Sequence, residues 1–298
     1  MSVAVLIAVH DGLVLAADSA STLSVAAHPE VAIPNANMVA NVYDNANKIF
    51  NLVKGQPIGC ITFGSGNIGN ASIGTLIKDL RKKLTDKPEE MGFNAEEYTM
   101  EGVASILAKF LGAECERVEQ ALRPNINTGF LLGGYSKPGD LGESWSVEIQ
   151  QGVPQPPKKL RQDYEVGMSW GGVTEVLQRM IVGFSPQLFT HLAQVTGPQQ
   201  DPAMLSSQLG PLLAARLQAP LVFAPMPIQD VIDLARFLVH SAIMFSRFSP
   251  GANIVGGPIE VAAITKHENF KWISRKHYYD QSLNREPLHV VNDRSGQS

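Results

Sequence analysis

The 298 residues, 44% of them hydrophobic, supply enough apolar surface for a sizeable core, as one large domain or two small ones. A net charge of −4 with only 17% charged residues gives no basic excess for a nucleic-acid or membrane partner. Cys60 and Cys115 both lie in apolar segments without a Cys-x-x-Cys, which argues against a disulfide framework or zinc site and points to a reducing cytosol.

The chain opens on an apolar run, Val3 to Val9, then Asp11-Gly12, then a second apolar run ending in the lone acid Asp18. Asp-Gly between two apolar runs predicts a hairpin. No basic segment precedes the first run, and the apolar residues are interrupted at His10-Asp11-Gly12, so the start is not read as a signal peptide. No apolar segment reaches bilayer length, and a cytoplasmic protein is expected. After Asp18 a long small-residue loop with Pro29 and Pro34 is predicted. Strands follow at 47–53 and 57–63, and an amphipathic helix places Ile73, Leu76, Ile77, Leu80 and Leu84 on one face, with Lys78 and Asp79 on the other. A second helix is predicted from about Thr99 to Leu122, before Arg123-Pro124.

Strand signals return at 128–135 and 145–149, with a turn or short edge at 153–161 and another strand at 164–170. A helix is predicted from Val173 to Val182. Residues 184–227 carry seven prolines around short apolar pieces and read as a helical insertion or a long connection. A long helix over 228–248 and final strands at 254–265 and 270–273 complete the pattern. The polar tail from 276 to 298 is expected to fray. Strands and helices come in blocks, which argues for helices stacked on antiparallel sheets, an α+β arrangement.

Gly64-Ser65-Gly66-Asn67-Ile68-Gly69 matches a dinucleotide-binding fingerprint, but no βαβ unit or correctly placed acid accompanies it. No cofactor is assigned to it, and its glycine-rich turn is read as a source of backbone N–H groups for an oxyanion. The seven histidines show no metal-ligand spacing, and no metal is assigned. Ser2 carries a different signal. Once Met1 is removed it bears a hydroxyl and a free α-amine, whose pKa of about 7.7–8.0 leaves a usable neutral fraction near neutral pH. Nucleophile and base then share one residue. Asp18 ends the second strand and Lys48 begins the third, so a lysine held between carboxylate and hydroxyl would favour the developing alkoxide.

Gly12-Leu-Val-Leu-Ala-Ala-Asp18-Ser19, followed after a loop by Asn47-Lys-Ile-Phe-Asn-Leu52, resembles the start of a proteasome β-type subunit, an N-terminal-nucleophile hydrolase. With Ser2 counted as the first mature residue, Asp18 falls in register with the family's aspartate, and Lys48 matches its lysine. Ile58 to Gly64 resembles the strand whose last glycine donates the oxyanion N–H, which points to Gly64. Phe130 to Tyr135 with Trp145 to Ile149 resembles the central hairpin, and Gly167-Met-Ser169 resembles the turn that brings a serine near the nucleophile. The chain departs from the family in its serine nucleophile and at Ala252 to Gly257, where the family's acid and serine are replaced.

The resemblance implies a four-layer αββα sandwich over residues 1–275, with the Pro-rich insertion at about 184–227 added. It implies a peptide or amide hydrolase with Ser2, Asp18, Lys48, Gly64 and Ser169 in the site, and no cofactor. It also implies a homo-oligomer, as a ring, with any unfoldase partner unidentified. The alternative is a catalytically inactive proteasome-like structural or interaction subunit.

Overall fold

In a computed structural model of the chain, residues 2–26, 37–196, 201–278 and 280 are described. The chain enters at once into β1 (Val3–Val9) and β2 (Gly12–Ala17), paired antiparallel with Val9 opposite Gly12. The turn residues are therefore His10 and Asp11, one position earlier than Asp-Gly predicted. Gly12 is not there for a left-handed turn. A Cβ on it would lie 2.7 Å from the Ile264 carbonyl oxygen, so it lets the neighbouring strand close in.

Two further strands, β3 (Ser21–Ala26) and β4 (Asn37–Tyr43), form a separate antiparallel ribbon where the sequence predicts loop. Pro29 and Pro34 fall outside the described residues. Then come β5 (Ile49–Asn51), β6 (Ile58–Gly64) and a minimal pair, β7 (Asn67–Ile68) and β8 (Ala71–Ser72). The pair feeds helix α1 (Ile73–Asp86), whose first turn is capped when Ser72 Oγ accepts the Thr75 N–H at 3.1 Å.

Helix α2 (Met100–Glu116), capped by Thr99, ends six residues before the predicted Leu122. The Arg123 guanidinium donates to the carbonyls of Glu116 and Val118, and Leu122 is exposed, so continuing the helix would bury nothing.

β9 (Thr128–Tyr135) and β10 (Gly142–Gln150) follow, with short edge pieces β11 (Val153–Pro154) and β12 (Lys158–Lys159) on β10. β13 (Gly167–Gly172) leads into α3 (Glu175–Leu177) and a π-helical turn, Gln178–Val182, closed by left-handed Gly183. The helix starts two residues after the predicted Val173, whose N–H donates to the Ser2 carbonyl at 2.7 Å. The proline-rich region folds as α4 (Leu188–Thr196) and α5 (Pro202–Leu217). α6 (Ile228–Phe248) matches its predicted range, and β14 (Glu260–Thr265) and β15 (Asn269–Ser274) close the fold.

The strands form two large antiparallel sheets, ordered β13-β1-β2-β14-β15 and β11-β10-β9-β6-β5. Alternate residues of β1 point opposite ways. Val3, Val5 and Ile7 pack with Val231, Leu238 and Val239 of α6. Ala4, Leu6 and Ala8 pack with Ile61 of β6 and Leu131 of β9, in a cluster built from both sheets. The second sheet's other face packs under α1 and α2 through Ile77, Leu80, Leu107 and Leu111. Both faces of β1 and β2 are thus covered, which is why these strands read as unbroken apolar runs rather than alternating ones. The fold is mixed α and β, with antiparallel sheets and six helices among the described residues.

Candidate active site

Asp18 follows the last residue of β2, and the hairpin register puts it opposite Val3. The carboxylate is fully buried and accepts four hydrogen bonds. Oδ1 takes the Val3 N–H at 2.9 Å and the Lys48 ammonium at 2.5 Å. Oδ2 takes the N–H groups of Ala20 and Gly256, each at 3.1 Å. Two of these donors anchor the beginning of the chain and the segment just before β14 to one carboxylate. A buried charge held this way is fixed in place, with its desolvation offset by charge-assisted bonds.

Lys48 precedes β5, and its carbonyl accepts the Thr62 N–H at 2.9 Å, which pins its backbone to β6. The side chain is 5% exposed. Burial pushes its pKa below the ordinary lysine value, and the Asp18 carboxylate pulls it back up. An ammonium in this position is eased toward sharing its proton while still carrying charge beside a buried carboxylate.

Ser2 is 6% exposed, and its carbonyl is bound by Val173 past the end of β13. A Cβ at Gly172 would lie 1.8 Å from that carbonyl oxygen, so only glycine allows β13 to pass so close to Ser2. Gly64 ends β6 with φ +93°, and a Cβ there would lie 2.5 Å from the Asn127 carbonyl oxygen. Ser2, Lys48 and Gly64 line one cavity of about 270 Å³, walled also by the start of β3, the Asn45–Asn47 segment, Ser65-Gly66 and the first turns of α1. Asp18 stands behind Lys48.

The structure does not bring Ser169 to this cavity. β13 runs antiparallel to β1 with Ser169 opposite Leu6, four residues along from Ser2, and its hydroxyl accepts the Arg161 guanidinium at 3.0 Å. The end of β13 that reaches Ser2 is Gly171-Gly172-Val173. The register of a strand pair decides which residue arrives, and here it delivers glycines instead of the serine.

Sequence reasoning missed four contributors. Gly256 reaches Asp18 by its backbone, and its carbonyl accepts the Ser19 N–H at 2.8 Å. The replaced family segment is therefore at the site, as a backbone donor only. Ser19 is fully buried; its hydroxyl donates to the Pro258 carbonyl at 2.6 Å and accepts the Lys276 ammonium at 2.8 Å. Lys276 also stands 2.8 Å from the buried Glu260 carboxylate. Neither a lysine in a polar tail nor an acid at a strand start carried a signal. Among the described residues no group of three His, Cys, Asp or Glu is placed to hold a metal, and no helix is long and apolar enough to cross a membrane.

No family model and no curated protein matches the sequence. Among solved structures, the chain is similar to Anbu (ancestral beta-subunit) from Yersinia bercovieri, with a TM-score of 0.50 and 14% identity over 92% of this chain and 88% of that one. At that identity the likeness concerns the fold, and it supports the proteasome-like resemblance at that level.

Proposed function

We propose that this chain is a proteasome-like N-terminal serine hydrolase that cleaves a peptide or amide bond through an acyl-enzyme on Ser2 after Met1 is removed. The observation that carries the reading is the convergence of Ser2, Lys48 and Gly64 on one cavity, with the buried Asp18 carboxylate bonded to both Lys48 and the Val3 N–H. Ser2 Oγ attacks the substrate carbonyl carbon and its proton passes to the Ser2 α-amine. The Lys48 ammonium favours the alkoxide, and the Gly64 N–H supports the oxyanion. The carbon–nitrogen bond breaks as the leaving amine takes the proton, and water, activated by the same α-amine, then releases the acid and restores Ser2. Ser169, placed four residues along β1, has no part in these steps.

The paired sheets with helices packed on their outer faces support the four-layer αββα arrangement expected of such enzymes. The solved neighbour is named as a β-subunit, and the family resemblance of the sequence adds a homo-oligomeric assembly, with a ring as its form and the cytoplasm as its setting. One observation favours a second reading, a catalytically inactive proteasome-like subunit: the segment at Gly256 contributes backbone, not an acid or a serine, to the Asp18 cluster.

Intact mass and N-terminal sequencing of cell-derived protein, with and without a β-lactone probe, separate the two. The hydrolase reading expects Ser2 as the first residue and a probe adduct on it that disappears in Lys48→Ala. Quantitative retention of Met1, or no adduct on an exposed Ser2, leaves the inactive subunit. Light scattering tests the assembly, and a clean monomer counts against it.

A further inference from the structure

The cavity that holds Ser2 extends along helix α1, and among the described residues its charge is one-sided. Two lysines line it, Lys48 and Lys78, and no carboxylate among the described residues does. The Lys48 charge is offset by Asp18 at 2.5 Å, but Lys78 makes no ion pair among the described residues. Asp79, its chain neighbour, is exposed and does not line the cavity. Gly74 and Lys78 are four residues apart and both line the cavity, as expected for positions sharing one helix face. A Cβ at Gly74 would lie 3.9 Å from Asn47 Cβ, so this face of α1 abuts the segment that presents Lys48. A small residue keeps the space open there, and one turn further on the Lys78 ammonium, unopposed among the described residues, stands at the cavity wall. At about 270 Å³ the space suits a side chain rather than a whole cofactor.

We propose that this cavity accepts an acidic side chain, Asp or Glu, from the substrate residue on the acyl side of the bond cleaved at Ser2, with Lys78 as the residue that sets the preference. The inference rests on the hydrolase reading for the bond that is cut, but the charge selection belongs to the cavity alone. A neutral substrate side chain would leave the Lys78 ammonium without a counter-charge, and a basic one would meet it directly. Because Lys78 is exposed, the discrimination is modest: a unit charge met at close range through water corresponds to about fivefold.

The test uses the full chain with Met1 removed and three peptide epoxyketones that differ only in carrying Glu, Leu or Lys next to the warhead. The Glu probe is expected to label Ser2 about fivefold faster than the Leu probe, with the Lys probe slowest, and the spread should narrow as salt is raised. Lys78→Glu should invert the order. Faster labelling by the Leu or Lys probe, or an order unchanged in Lys78→Glu, overturns the proposal. A second measurement removes the chemistry: fluorescent peptide amides with the same three residues are bound to Ser2→Ala protein and followed by anisotropy. Tighter binding of the Glu peptide, lost in Lys78→Glu, supports the cavity assignment even if no probe labels Ser2, in which case only the hydrolase reading fails. Equal or reversed affinities overturn the assignment whatever the labelling shows.

Discussion

Asp18 is the residue on which the site's geometry converges, because its two oxygens hold one ammonium and three backbone N–H groups. Asp18→Ala strands the buried Lys48 charge and is expected to cost about 3–5 kcal/mol, read as a fall in the urea midpoint. Asp18→Asn should recover only part of that, since its amide nitrogen would meet donors where Oδ2 now accepts from Ala20 and Gly256. Two hydroxyls far from this cluster report on pH. Burial pushes the phenols of Tyr98 and Tyr135 up to about 12, with the Asp11 charge adding to the shift at Tyr135. Both are acids with a raised folded pKa. Their stabilisation is fully present below an unfolded value of about 10 and is lost as pH rises from there toward the folded value. The Tyr98→Phe, Tyr135→Phe double variant should unfold less steeply over that alkaline range than the parent, as followed by circular dichroism.

At the scale of elements, β13 and α2 make a contrast. Gly172 has φ +91° and no room for a Cβ against the Ser2 carbonyl. Gly172→Ala forces the strand end away from Ser2, with a cost of about 1–3 kcal/mol for the backbone strain alone. The same change should suppress probe labelling of Ser2, because the Val173 bond that fixes Ser2 is broken. Thr99→Ala removes the cap that accepts the Gly102 N–H at 3.1 Å and should cost about 1 kcal/mol. Helix α2 packs against β9 and β10 and contributes nothing to the cavity lining, so labelling should be unaffected.

Across the whole molecule, charges from distant parts of the sequence meet at one place. Glu260 opens β14, Lys276 follows β15 and pairs with Glu260, and the Lys276 ammonium donates to the hydroxyl of Ser19, the residue beside Asp18. Burial lowers the Lys276 pKa and the Glu260 carboxylate opposes that shift. Lys276→Met leaves Glu260 buried without its cation and is expected to cost about 3–5 kcal/mol, whereas adding Glu260→Gln should restore much of the loss. A double-mutant cycle by chemical denaturation measures the coupling, and simple additivity would show that the pair is not linked. The expectation that the tail frays from residue 276 therefore does not hold for Lys276 itself.

The hairpin, α1 and α6 were legible in the sequence because each buries a continuous or periodic apolar face, and that pattern is local. So were Asp18 and Lys48, since their places at strand ends follow from where the apolar runs stop. The β3–β4 ribbon was not legible: it lies off both large sheets, and its exposed Leu23 and Tyr43 leave little alternation to read. Ser169 was misplaced because a motif specifies a residue's type but not its register against β1. Gly256 and Lys276 were invisible because one acts through its backbone and the other through a partner 16 residues away across a strand pair. What the sequence by itself determined is the apolar framework and the presence of a serine, an acid and a lysine, Ser2, Asp18 and Lys48, at its strand starts and ends. Only the tertiary structure decided which of them share a cavity and which glycines let strands pass beside Ser2. It alone also showed that Lys78 lines that cavity without an ion-pair partner among the described residues. Those outcomes depend on register and packing between segments far apart in the chain, and no local pattern encodes that distance.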